Sequence, residues 1–334
     1  MGACVSCAAH ETHLISEASY DEEGHDIFVK GGLVCNGFNS FASFYSQQGR
    51  KGCNQDAFIL CQGYGEGDGL FCGVFDGHGQ YGHLVSKRVR EWLPSMLLRQ
   101  RDGLMNGFSQ GFEAWDEACI RGFKALDKNL KLSNDLDCSF SGTTAVTIIK
   151  QGGYLVVANL GDSRAVLGTI SEDGTLTAIQ LTTDQKPNVP QEAERIRQCN
   201  GRVFALKEEP KIQRVWLPDE DSPGLAMARA FGDFQLKDFG LSAVPQVTHH
   251  KLTSKDQFVI LASDGVWDAL SNTEVVSIVS SAETKETAAK DVVESAIQAW
   301  QHKFPSSRVD DCSVVCLFVQ EKEGSEYTTT TYEV

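Results

Sequence analysis

The run Leu70-Phe71-Cys72-Gly73-Val74-Phe75-Asp76-Gly77-His78-Gly79 decides how the chain is read. Its apolar, β-branched and aromatic first half predicts a buried strand, which stops on an acid, a glycine, a histidine and a second glycine. A strand holds the backbone beneath a carboxylate rigid. Gly77, lacking a Cβ, lets the chain turn and lets its own carbonyl approach a cation closely. Strands also end on Asp-Gly turns that have no such role, so the weight falls on what else converges on Asp76.

The same grammar returns at residues 258–262, an apolar strand running into Ser263-Asp264-Gly265-Val266-Trp267-Asp268. Asp310-Asp311 stands directly before a last strand at 313–319, and Asp56 closes a polar loop, 47–56, before a strand at 57–61. Further strands are expected at 41–45, 143–149, 154–159 and 163–167, with Gly152-Gly153 and Gly161-Asp162 as turns, so Asp162 sits at a strand-joining tip. Acids therefore stand at or near core strand ends: Asp56, Asp76, Asp162, Asp264, Asp268 and Asp310. Oxygen-rich sets suit hard divalent cations, and two such ions about 3.5–4 Å apart activate a bridging hydroxide and clamp a phosphoryl group.

Helical spacing links Val85, Val89, Trp92, Leu93, Met96 and Leu97, with Pro94 as an expected kink, and more cleanly Phe112, Trp115, Cys119, Phe123, Leu126 and Leu130. Both stripes read as core-facing. Gly63, Gly65, Gly67 and Gly69 precede a strand and so form a connection rather than a dinucleotide fingerprint. Residues 184–250 hold six of the eight prolines and a short helix at 191–199, which reads as a binding flap or lid. Ser271-Asn272-Thr273-Glu274 is a capping box, and Val292, Val293, Ala296, Ile297 and Trp300 mark a last helix.

The 334 residues are 41% hydrophobic and 22% charged, a globular composition long enough to bury one large core or two smaller ones. No run approaches the roughly 18 apolar residues of a membrane span. A formal net charge of −15 argues against unspecific nucleic-acid binding and suits cations. The eleven cysteines lie scattered through expected strands and helices, which points to a reducing compartment, and no secretory signal is present. The first residues, Met1-Gly2-Ala3-Cys4-Val5-Ser6-Cys7, fit myristoylation of Gly2, with Cys4 and Cys7 as sites for a second acyl chain because no Lys or Arg precedes Lys30. The alternative reading of those cysteines is a tail without a role, or half of a metal knuckle. Residues 1–32 are expected to be a mobile lead-in, 33–320 a catalytic domain, and 321–334 a disordered tail.

Seven ordered motifs carry a resemblance: Asn54-Gln55-Asp56-Ala57, Phe75-Asp76-Gly77-His78-Gly79, Ser141-Gly142-Thr143-Thr144-Ala145, Asn159-Leu160-Gly161-Asp162-Ser163-Arg164, Ala228-Arg229-Ala230-Phe231-Gly232-Asp233, Ala262-Ser263-Asp264-Gly265-Val266-Trp267-Asp268 and Asp310-Asp311-Cys312-Ser313-Val314. Each is short; their joint order over residues 41–319 resembles the protein phosphatase 2C family, the metal-dependent Ser/Thr phosphatases, and its plant members above all. The resemblance implies an α+β fold, a four-layer α-β-β-α sandwich of two antiparallel sheets with flanking helices and a two-metal cleft at one end. It implies Mg²⁺ or Mn²⁺, two ions with a weaker third, bridged by Asp76, with Asp264 and Asp310 on one ion, the Gly77 carbonyl on the other, and Asp162 and Asp268 at the third position. The implied reaction is in-line attack on phosphorus by a metal-bridging hydroxide without a phosphoenzyme, with His78 as general acid to the leaving Ser or Thr oxygen. The other reading of His78 is orientation of Asp76 from outside the ligand set.

Two positions depart from the family's commonest pattern. Gln55 stands where a metal-ligating Glu is usual, which lowers the charge on the second ion's site, with Asp56 as partial compensation. Lys51, beside Arg50, stands at the phosphate-binding arginine, keeping the charge and losing the bidentate fork. The rival to the enzyme is a catalytically silent member that binds phosphoproteins or kinases. Expected partners are phosphoprotein substrates and kinases, with no nucleic acid. The expected form is a monomer, cytoplasmic or tethered to the plasma membrane by its acylated N-terminus, with the nucleus left open. His249-His250 reads as a surface pair without acids at a supporting spacing, and Lys237-Asp238-Phe239-Gly240 imitates a kinase signature whose companion motifs are missing.

Overall fold

The computed structural model describes residues 18–20, 26–28, 41–65, 69–105, 113–305 and 308–320. Gly2, Cys4, Cys7 and the tail from Glu321 lie outside them. In chain order the elements begin with β1 (Ala18–Tyr20) and β2 (Asp26–Phe28), a short antiparallel pair inside the expected lead-in. Then come β3 (Ala42–Gln47), β4 (Ala57–Gln62), β5 (Leu70–Phe75), β6 (Gly77–His78), α1 (Gly82–Met105), α2 (Glu113–Leu132) and β7 (Gly142–Thr143). They continue with β8 (Ala145–Gln151), β9 (Tyr154–Leu160), β10 (Arg164–Ile170), β11 (Leu176–Gln180), α3 (Pro190–Gln198), β12 (Arg202–Ala205) and β13 (Gln213–Trp216). The last are β14 (Phe231–Gly232), α4 (Phe234–Lys237), β15 (Gln246–Lys251), β16 (Asp256–Ala262), α5 (Asp264–Trp267), α6 (Asn272–Ser281), α7 (Ala288–Lys303) and β17 (Cys312–Phe318).

Two five-stranded sheets, ordered β11-β10-β16-β17-β3 and β15-β9-β8-β5-β4, pair antiparallel throughout. Alternation along β5 shows why they stack. Phe71 and Phe75 point outward into a core shared with Val85, Leu93 and Leu97 of α1 and Trp115 and Phe123 of α2, whereas Cys72 and Val74 point inward toward Leu167, Val259, Leu261 and Val315 of the other sheet. That second sheet covers its outer face with α6 and α7, where Val275, Val279, Val293 and Ala296 meet Ile260, Val314 and Cys316. The layers therefore run helix, sheet, sheet, helix, as the resemblance implied. Burying each large aliphatic or aromatic side chain contributes about 1.5–3 kcal/mol, so the three stacked cores dominate stability.

Helix α1 runs through Pro94, and the carbonyl of Pro94 accepts from Tyr64 Oη at 2.8 Å. Ser271 and Glu274 close the expected capping box at the start of α6. The proline-rich stretch is more ordered than the sequence indicated: it holds the β12–β13 hairpin, and its last residues form β15, an edge strand of the main sheet. Within it, Ile196, Val215, Met227, Ala228, Leu236 and Leu241 form a separate small core. His249 and His250, on β15, each meet an acid: His249 Nε2 meets Asp116 of the distant α2, and His250 Nε2 lies 3.0 Å from Asp256, six residues further on. No described cysteine forms a disulfide.

Candidate functional site

Strand β5 delivers Asp76 to one end of the sandwich, and its backbone is pinned there. The Asp76 N–H donates to Thr144 Oγ1 at 3.1 Å, and its carbonyl accepts from Thr144 N at 2.9 Å and Thr143 Oγ1 at 3.0 Å. Gly77 then passes so close to two carbonyls that a Cβ would lie 2.4 Å from Gly82 O and 2.5 Å from Gln55 O. Close approach, not a left-handed turn, therefore requires glycine there.

From the facing sheet, β16 ends at Ala262 and Asp264 opens α5, while Asp310 lies just before β17. Asp162 is on the β9–β10 turn, the crossing from one sheet to the other, where the Gly161 N–H donates to Gln185 Oε1 at 2.8 Å. Asp56, just before β4, is buried; Ser263 Oγ donates to its Oδ2 at 2.7 Å, and its Oδ1 has no partner. Five of the six acids predicted from the sequence thus act on one another, and Asp268, largely exposed, borders them through Asp264 and Asp162.

Electrostatics follow from that crowding. Burial, and then the nearby Asp264, Asp56, Asp310 and Asp162, hold the Asp76 carboxyl well above the usual carboxylate range. Asp264 is raised well above it by burial and by Asp162, Asp310 and Asp268. Burial and Asp311 push Asp56 up to about 7. Asp162 is raised chiefly by burial, and its Oδ1 is another buried oxygen without a partner.

The chain supplies two ammonium groups at the rim. Lys51 Nζ pairs with Asp310, and although burial opposes its charge, Asp310 outweighs this and raises its pKa. Lys186 Nζ lies 3.5 Å from Asp268 and 3.7 Å from Asp162, and those acids likewise outweigh burial and raise it. Lys186 escaped the sequence reading because nothing in Asp184-Gln185-Lys186 marks it. Arg50 is exposed on the loop with its N–H bonded to Val309 O at 2.8 Å.

Asp311 ties the Lys51 loop down, accepting from Gly49 N at 2.7 Å and Gln55 N at 2.8 Å. Gln55 Nε2 donates to Gly79 O at 2.9 Å, a bond that a glutamate could not make. His78 does not lean on Asp76: its Nε2 meets Asp233 Oδ2 at 2.6 Å. Burial opposes charge on that imidazole, yet Asp233 outweighs it and raises its pKa.

Oxygen donors, buried carboxylate oxygens without partners and uncompensated negative charge fit a hard divalent cation. Among the described residues no three His, Cys, Asp or Glu side chains are already gathered as a ligand group. The described cavities lie elsewhere, one of about 540 Å³ in the proline-rich stretch between Pro187, Pro190, Arg197, Val203 and Lys211. No described helix is long and apolar enough to cross a membrane.

Comparison with known proteins meets this geometry from outside. Residues 42–302 match the family model described as Protein phosphatase 2C. The chain is 48% identical to Probable protein phosphatase 2C 12 of Oryza sativa subsp. japonica, over 96% of this chain and 92% of that one. It is 51% identical to Probable protein phosphatase 2C 72 of Arabidopsis thaliana, over 97% and 99%. The fold superposes with a TM-score of 0.73 on the crystal structure of a serine-threonine phosphatase 2C from Toxoplasma gondii, at 27% identity, covering 83% of this chain and 94% of that one.

Proposed function

The chain belongs to the protein phosphatase 2C family and is a protein serine/threonine phosphatase, and from that premise we propose how its own residues carry the reaction. The observation that carries the reading is the set of acids gathered at Asp76, Asp264, Asp310 and Asp162, where burial and then the neighbouring acids raise the pKa of Asp76, Asp264 and Asp162. In this reading Asp76 would serve both of two Mg²⁺ or Mn²⁺ ions, Asp264 and Asp310 would hold one, the Gly77 carbonyl would help hold the other beside Gln55 and Asp56, and Asp162 and Asp268 would hold a weaker third. When bound, the ions supply a nucleophilic hydroxide near neutral pH and neutralise the phosphoryl oxygens.

The remaining work falls to side chains already placed. Lys51 and Arg50, on the rim loop, draw the phosphate dianion toward the acids, which would otherwise repel it. His78, whose pKa Asp233 raises against burial, gives its proton to the Ser or Thr oxygen as that oxygen leaves. Substrates are phosphoserine and phosphothreonine proteins, kinases among them, contacted by the proline-rich flap. The enzyme acts as a cytoplasmic monomer brought to a membrane by acylation of Gly2 and of Cys4 or Cys7.

Hydrolysis of p-nitrophenyl phosphate by the full chain, with Mn²⁺ and with a chelator, tests the core of this. Turnover should require Mn²⁺; folded protein without metal-dependent turnover would overturn the reading. Labelling with a myristate analogue in cells decides the tether, and an unlabelled Gly2 form removes it.

A further inference from the structure

The turn from Phe231 to Asp233 is built around an unusual backbone. Asp233 has φ +50°, the left-handed region that side-chain-bearing residues avoid, and Gly232 before it has φ +76°. Four bonds fix the turn in that shape. The Gly232 N–H donates to Asp127 Oδ1 at 2.9 Å, Asp233 N–H to Ser141 O at 3.0 Å, Phe234 N–H to Cys138 O at 3.1 Å, and the buried Lys237 Nζ to Ala230 O at 2.6 Å. Lys237 is itself held by Asp127 Oδ2 at 3.0 Å. Strain that the surroundings enforce this thoroughly is a mark of a functional position.

What the turn presents is the Asp233 carboxylate, 3% exposed, with Oδ2 at 2.6 Å from His78 Nε2. Space for the pair is reserved by Gly142, where a Cβ would lie 2.2 Å from Asp233 Oδ2 and 2.8 Å from His78 Nε2. His78 Nδ1, by contrast, has no hydrogen-bond partner.

We infer that Asp233 is the positioning residue of His78: it accepts the Nε2 proton, fixes the ring and its tautomer, and leaves Nδ1 as the nitrogen that serves the leaving oxygen. In the step so served, a bond forms from a water-derived oxygen to phosphorus and the ester P–O bond breaks. The ester oxygen departs as an alcohol with the His78 proton, and the imidazole regains a proton from the one the attacking water gave up. Nothing in the sequence joins residues 155 positions apart, and Lys237, which imitated part of a kinase signature, is a brace for this turn.

This inference rests on His78 as general acid, and the test separates the two. Manganese-loaded wild type, Asp233→Asn, His78→Gln and the double variant are compared on a phosphoserine peptide, whose alkoxide needs a proton, and on p-nitrophenyl phosphate, whose leaving group does not. Asparagine tolerates the left-handed backbone, so the turn is kept. Asp233→Asn should lower kcat about tenfold more on the peptide than on the aryl ester, with KM little moved, and the double variant should be no worse than His78→Gln. Equal losses on both esters in Asp233→Asn, or additive losses in the double variant, overturn the inference while His78→Gln still discriminates. A His78→Gln that does not discriminate overturns the acid reading and the inference together. Independently of activity, proton NMR of histidine-labelled wild type should show a His78 Nε2–H protected from exchange, and its absence overturns the pair.

Discussion

At the base of the flap, Glu192 accepts from Arg195 Nη1 and Arg229 Nη2, each at 2.5 Å, while Arg229 and Arg195 go on to bond the carbonyls of Val244, Gly240 and Ala228. In the cleft, Asp76 faces Asp264, Asp56, Asp310 and Asp162. Burial works against charge in both places. Around Glu192 the two guanidiniums win and its pKa is lowered; around Asp76 the neighbouring acids add to burial and the pKa is raised. A carboxylate that serves folding comes with its counter-charges in the same chain. Asp76, by contrast, is crowded by acids, as a carboxylate that would serve a bound cation must be.

The comparison breaks hardest at Asp76. Asp76→Asn should lower kcat about 10³-fold with saturating Mn²⁺, and yet raise the melting temperature of the chelated protein at neutral pH, because one repelling charge is gone. A metal-free variant that melts lower than wild type would show that Asp76 is stabilising and refute the contrast. Glu192→Gln should do the reverse, keeping metal-dependent kcat while removing about 2 kcal/mol of stability, discounted for the partly exposed arginines. Thermal unfolding would register this as a loss of about 4–8 °C.

Opposite pH slopes sharpen the same contrast. A raised carboxyl pKa means that the folded state binds more protons than the unfolded one, so metal-free stability declines as pH rises from roughly 4, where unfolded carboxyls ionise, through the value of about 7 that Asp56 reaches. The Glu192 contribution, from a lowered pKa, is present above the usual Glu value and lost as pH falls. Melting curves from pH 4 to 8 should therefore bring wild type and Asp76→Asn together at the acidic end, whereas the Glu192→Gln difference should persist down to about pH 4 and close only below it. The smallest effect belongs to Lys51→Arg, where a fork replaces a point charge: KM for a phosphopeptide should fall about threefold with kcat little changed. A rise in KM would mean that the Asp310 pairing, not the phosphate, governs that side chain.

The sequence-based expectations track local physics closely. Alternation in β5 and β16, the helical stripes of α1 and α2 and the Ser271-Glu274 box are each decided within a few residues, and each formed where expected. The acids at strand ends were legible for the same reason. What escaped depends on contacts across the fold. β11 and β15 are edge strands whose partially buried residues give weaker periodicity, and β15 was hidden inside the proline-rich stretch. Lys186, Asp311 and Asp233 acquire meaning only from partners 24 to 262 residues distant.

Asp76 terminates a strand of one sheet, while Asp264 and Asp310 belong to the other, and Asp162 marks the crossing between them. An ion held by both sides would therefore be a clasp at the open end of a two-leaved book, beside the Ser263–Asp56 bond that already joins the leaves there. On the proposed reading, loading the catalytic centre and fastening the sandwich would be one event, so the availability of a divalent ion would set both how fast this protein works and how long its two leaves stay shut.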